Sequence, residues 1–157
     1  MRDVPEINAF IATLDNPFLL LFIGMAFTAI VQSSSAVTSI IVLIAASNPN
    51  AFGGTGNAVY FLILGSNIGT CVTAMISSIG ASTNARRASL IHLMFNVIGT
   101  IIFVLITAFT PYTTLLQSIS DSVPAQISAA HIIFNVVSTV VLFPFANILI
   151  KIACIII

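Results

Sequence analysis

Gln32-Ser33-Ser34-Ser35 stands between Phe18–Val31 and Ala36–Ala46, two runs that are almost wholly apolar. Four consecutive hydroxyl or amide side chains in such a setting need partners. An unpartnered polar group in hydrocarbon costs roughly 2–7 kcal/mol, depending on the reference state. These side chains therefore face protein, water or a ligand. Hydrogen bonding between membrane helices accounts for one or two such residues. It accounts poorly for a block of four.

The surrounding composition fixes the class. The chain has 157 residues, 59% hydrophobic and 5% charged, with a mean hydropathy of +1.18. Soluble domains carry about 25% charged residues, so this is an integral membrane protein. Four basic and four acidic residues cancel, which excludes a nucleic-acid partner. Cys71 and Cys154 are isolated and fit neither metal-ligand spacing nor a disulfide framework. The acidic N-terminus, with Asp3, Glu6 and Asp15, lacks the basic start of a signal peptide. Ile7, Phe10, Ile11 and Leu14 have the spacing of an amphipathic interfacial helix over 6–14.

Asn16-Pro17 is a helix start signal. Residues 18–46 exceed the ~20 that cross a bilayer, and their polar centre predicts a re-entrant hairpin of two half-helices. Non-helical backbone at membrane depth is tolerated where it lines an enclosed cavity. After a loop over 47–57, residues 58–79 are long enough to span, but Gly65-Ser66-Asn67-Ile68-Gly69-Thr70 predicts a local break. Broken helices recur at transporter sites, where half-helix ends and freed carbonyls bind ions. The same residues also read as a packing surface, with Gly65, Gly69 and Thr73 four apart.

A short polar turn over 80–87 holds Arg86 and Arg87, which read as topology determinants. Spans at 88–109 and 125–150 follow, separated by a polar loop over 110–124; the second is kinked or ended near Pro144 and followed by Lys151. With these bounds no Arg or Lys lies inside a span. An internal echo joins the last two spans. Ser89, His92, Phe95, Asn96, Val97 and Thr100 recur as Ser128, His131, Phe134, Asn135, Val136 and Thr139. His, Asn and Thr stand four apart and form one polar stripe per helix. Interhelical hydrogen bonding and support of the neighbouring elements, rather than proton transfer, is the reading taken for them.

Thr28-Ala29-Ile30-Val31-Gln32-Ser33-Ser34-Ser35-Ala36 together with Gly65-Ser66-Asn67-Ile68-Gly69-Thr70 resembles the sodium–phosphate cotransporter family of type II, including its bacterial relatives. That family is built from two inverted repeats, each with a Gln-Ser-Ser-Ser signature. This chain contains one. The resemblance runs from about Phe18 to the C-terminus. It implies inorganic phosphate as the anion, contacted by Gln32, Ser33, Ser34 and Ser35. It also implies sodium as the coupling ion, held around Thr38, Ser39, Ser66, Asn67 and Thr70. No other cofactor is expected.

The expected fold is an all-α membrane protein, a single repeat unit over 1–157 with a re-entrant hairpin and about three spans, one of them broken. The expected function is sodium-coupled phosphate transport in a bacterial cytoplasmic membrane, as a half-transporter and not an enzyme. Arg86, Arg87 and Lys151 place the C-terminus in the cytoplasm and the N-terminus outside. A second repeat, or self-association as a dimer, is the expected partner besides the lipid bilayer. Two other classes compete. An intramembrane serine hydrolase needs a Ser–His pair, but the Gly-x-Ser-x-Gly pattern is absent. A non-transporting assembly subunit is compatible with the single signature.

Overall fold

The computed structural model describes residues 16–48 and 57–157. The amphipathic stretch expected over 6–14 and most of the loop expected over 47–57 lie outside them. The described residues form helices and turns, without strands.

Helix α1, Pro17–Val31, starts where the Asn-Pro signal places it. Asn16 Oδ1 accepts from the amides of Phe18 at 3.0 Å and Leu19 at 3.2 Å, and Pro17 sits at the first helical position, which needs no amide hydrogen. Helix α2, Ser34–Ser47, is capped by the Ser33 hydroxyl, which accepts from the Ala36 amide at 3.2 Å. The two axes bend by 120° at the two-residue break between them. At 1.5 Å per residue the halves are about 22 and 21 Å long. After such a bend the net advance along the first axis is only about 12 Å, well short of the ~30 Å hydrocarbon layer. The pair is a helical hairpin with the bend that the expected re-entrant element calls for.

Helix α3, Asn57–Ser77, is continuous. The break expected over 65–70 is not there, for two reasons. First, the polar side chains bond to carbonyls of their own helix: Ser66 Oγ to Ile63 O at 2.7 Å, Asn67 Nδ2 to Ile63 O at 2.9 Å and Thr70 Oγ1 to Ser66 O at 3.1 Å. Second, the glycines serve close approach. A Cβ on Gly65 would lie 1.8 Å from Leu21 O, one on Gly69 2.4 Å from Met25 O, and one on Gly24 2.0 Å from Leu62 O. Backbone meets backbone along α1 and α3, as small-residue interfaces in membranes allow. In its apolar window, 61% of α3 is buried, against 22% and 17% for the other two spans. It is the central element.

Helix α4, Thr83–Phe109, begins earlier than the expected 88. The Ser82 hydroxyl accepts from the Ala85 amide at 3.3 Å, so Arg86 and Arg87 lie at the helix start rather than in a turn. The expected loop over 110–124 contains a short helix, α5, Tyr112–Ile119. Its buried Tyr112 and Leu116 anchor it, and the Tyr112 ring stands edge-on to Phe103 at 5.9 Å and Tyr60 at 6.0 Å. Burial, and secondarily the Tyr60 phenol, push the Tyr112 hydroxyl above its usual range, so it stays neutral.

Helix α6, Val123–Leu142, passes through a 3₁₀ turn, Phe143–Phe145, into helix α7, Ala146–Ile156. Pro144 lacks an amide hydrogen, and the tighter turn absorbs that loss. The span neither ends at Pro144 nor stops at 150, and Lys151 lies on α7. Helix α2 packs chiefly on α6, α4 on α3, and α7 on α4. Phe103, Phe134, Leu20, Val37 and Ile63 fill the core, while Leu105, Phe109, Val140 and Phe143 face outward. Among the described residues, three helices are long and apolar enough to cross a membrane, the third being α6 continued through the 3₁₀ turn into α7.

Candidate functional site

The hairpin tip is built by two helix ends. Gln32 caps α1 in the left-handed conformation, φ 63° and ψ 18°, with its amide donating to Thr28 O at 2.6 Å. Among the described residues it is the one non-glycine with positive φ. That conformation costs a side-chain-bearing residue roughly 1–2 kcal/mol, and such costs gather at functional sites. Ser33 is the N-cap of α2, and Ser34 and Ser35 occupy its first turn. Amides in a first helical turn have no partner within the helix. Hydroxyls, amides and the positive end of the α2 dipole thus share one small volume. Gln32 and Ser35 are exposed, and Ser33 and Ser34 are half-buried.

The five residues expected at sodium differ in what they leave free. Thr38 is buried, and its hydroxyl has no partner. Ser39 is exposed and donates to Ser35 O at 2.9 Å. Ser66 and Asn67 are buried, Thr70 partly so, and each donates to its own helix. A hydroxyl that donates still keeps oxygen lone pairs for a cation.

The α1–α3 contact brings part of this set together. A Cβ on Gly69 would lie 2.8 Å from Thr28 Cβ, so Thr28 sits against α3 one turn before Gln32. Thr28 is fully buried with an unpartnered hydroxyl. On the other side of α3, Asn135 Nδ2 of α6 donates to Asn67 Oδ1 at 3.4 Å. Among the described residues no hydrogen bond links Gln32–Ser35 to Ser66, Asn67 or Thr70. Among the described residues, cavities of about 380 and 410 Å³ lie away from this set, at the α3–α4 turn beside His92 and between Ala45 and Pro124.

The two polar stripes bond as interhelical supports in part. Asn96 Nδ2 donates to His92 O at 2.9 Å and Asn135 Nδ2 to His131 O at 2.8 Å, the same bond in both copies. Across helices, Thr100 Oγ1 reaches Leu64 O at 3.4 Å and Cys71 Sγ reaches His92 O at 3.5 Å. Thr139 Oγ1 stays on its own helix, donating to Asn135 O at 2.7 Å. Sequence reasoning missed Gly24 and Thr28. Their four-residue spacing mirrors Gly65 and Gly69 and is the signal that marks them.

The sequence model described as Na+/Pi-cotransporter matches residues 6–120. The chain belongs to the Na+/Pi-cotransporter family. This transporter family includes the hairpin and α3 in the matched region. The protein YqeW of Bacillus subtilis is 32% identical over 133 residues, covering 85% of this chain and 41% of that protein. Sodium-dependent phosphate transport protein 2B of Homo sapiens is 38% identical over 92 residues, 55% of this chain and 12% of that protein. Protein 2A of Rattus norvegicus is 36% identical over 107 residues, 64% of this chain and 16% of that protein. The chain therefore spans well under half the length of these relatives. No solved structure matches it.

Proposed function

We propose that this chain is a unit of a sodium-coupled carrier of inorganic phosphate, and not an enzyme. The observation that carries the reading is the hairpin tip, where a left-handed Gln32 meets the first turn of α2 at Ser34 and Ser35. A helix N-terminus with free amides and hydroxyls suits an oxyanion. Among the described residues the tip carries no Lys or Arg: Arg86 and Arg87 lie at the start of α4 and Lys151 on α7. Sodium then supplies the positive charge that the site lacks. Thr38, with its unpartnered hydroxyl, and Asn67 Oδ1 are its leading ligands, with Ser39, Ser66 and Thr70 contributing lone pairs. Each net charge crossing 100 mV is worth about 2.3 kcal/mol, which couples sodium entry to phosphate uptake.

The exposed tip requires a cover, because polar groups left in hydrocarbon are costly. A second repeat or a second copy of this chain fills that role. The test is phosphate binding by the purified chain with and without sodium, with light scattering on the same sample. Sodium-dependent binding by an oligomer is expected. Binding by a monomer would show that one unit is sufficient, and sodium-independent binding or none would sink the reading.

Orientation in a bacterial cytoplasmic membrane follows from charge. Arg86 and Arg87 at the start of α4 and Lys151 on α7 lie two crossings apart, on one side. The positive-inside rule makes that side cytoplasmic, with the N-terminus outside. A cysteine replacing exposed Ser82, in a background lacking Cys71 and Cys154, is expected to react with an impermeant reagent only after the membrane is opened. Labelling of intact cells would reverse the orientation.

A further inference from the structure

We infer that Asn135 is a positioning residue that aims the side-chain oxygen of Asn67 at the cation. The inference rests on the proposed sodium role of Asn67. Asn67 is 2% exposed, and its Nδ2 is tied to Ile63 O at 2.9 Å. That bond turns Oδ1 away from its own helix, towards α6. There Asn135 Nδ2 meets it at 3.4 Å, while donating its other hydrogen to His131 O at 2.8 Å. Both Asn135 amide hydrogens are thereby spent and the group is locked in direction. Asn67 Oδ1 accepts one bond and retains a second lone pair, which is what a hard cation takes. Fixing an oxygen before the ion arrives removes part of the ordering cost of binding.

The molecule contains its own control. Asn96 sits in the matching motif of α4 and makes the same bond to the carbonyl four residues back, at 2.9 Å. What differs is the α3 residue it meets. Asn96 contacts Cys71, one turn beyond Asn67, and among the described residues makes no hydrogen bond to a proposed cation ligand. Two stripes of nearly equal sequence therefore have different duties, decided by whether α3 presents an amide or a thiol. A merely structural asparagine on α6 would behave as Asn96 does.

Sodium titration of phosphate binding by the full chain in lipid vesicles tests this. Asn135→Ala is expected to raise the half-saturating sodium concentration about tenfold, the worth of one oriented hydrogen bond. Binding capacity at saturating sodium should stay the same. Asn135→Thr, closer in bulk and with one donor, should recover part of the loss, and Asn96→Ala should match the parent. The double variant Asn67→Ala/Asn135→Ala should be no worse than Asn67→Ala alone. An unchanged half-saturation in Asn135→Ala, a loss of capacity instead, or additive effects in the double variant would overturn the inference while leaving the function intact. If Asn67→Ala itself matches the parent, the sodium role of Asn67 fails, and this inference with it.

Discussion

Gly65→Ala separates the first half-helix from the central span, and a fall in melting temperature of roughly 10 °C is the expected result. The added Cβ would stand 1.8 Å from Leu21 O, a backbone atom that cannot rotate away. Atoms this close must part by about an ångström before the contact is tolerable. Opening a packed interface by 0.5–1 Å forfeits about a quarter to a half of its dispersion energy, on top of the ~1–3 kcal/mol of ordinary overpacking. At roughly 2–4 °C per kcal/mol for a chain of this size, about 3 kcal/mol gives the stated shift. Gly80 supplies the comparison. It has φ +75° in a turn with open space around its Cβ position, so Gly80→Ala carries only the left-handed strain of about 1–2 kcal/mol. Thermal unfolding in detergent, followed by retention on a sizing column, ranks the two. A Gly65→Ala melt equal to the parent, or milder than that of Gly80→Ala, would mean that α1 and α3 do not meet backbone to backbone.

That interface also shows where the sequence stops being legible. Hydropathy revealed the hairpin and the three spans because an apolar run's length and its interruption by Gln32–Ser35 are properties of the chain alone. The course of α3 is not. Gly65-Ser66-Asn67-Ile68-Gly69 has the local propensities of a break, and two glycines cost a helix about 2 kcal/mol relative to alanine. The helix continues because Leu21 and Met25 of α1 occupy the space that the glycines vacate. Ile63 and Ser66 carbonyls absorb the polar side chains in the same way. Helix starts behaved similarly. Arg86 and Arg87 looked like loop residues until the Ser82 cap extended α4 over them. Tyr112 looked like loop until Phe103 and Tyr60 gave its ring a face to pack on. For the site, a block of four polar residues was visible at once. Which hydroxyls remain free after the backbone has taken its share was not: Thr28 and Thr38 do, as do Thr73 of α3 and Ser138 of α6.

Gln32→Gly is expected to weaken sodium-dependent phosphate binding by about tenfold to more than a hundredfold while leaving the fold as stable as before or more so. Most substitutions at a binding site confound the two effects, because the residue also packs. Here they have opposite signs. Gln32 holds φ 63° at the end of α1, the position that glycine most often fills, and glycine adopts that conformation without the side-chain penalty. Relief of about 1 kcal/mol against the extra entropy of an unfolded glycine leaves stability level or slightly raised. The exposed amide, by contrast, is lost altogether. A hydrogen bond to a charged ligand is worth about 1.5–3 kcal/mol, so affinity falls by about tenfold to more than a hundredfold. Ser34→Ala, which removes a hydroxyl from the first turn of α2 but keeps the Ser33 cap, is expected to lower affinity over the same range. Isothermal titration of phosphate at fixed sodium, paired with a thermal melt of each variant, separates the outcomes. Gln32→Gly that binds phosphate like the parent would mean that the strain at the tip serves the bend between α1 and α2 and that the anion is held elsewhere.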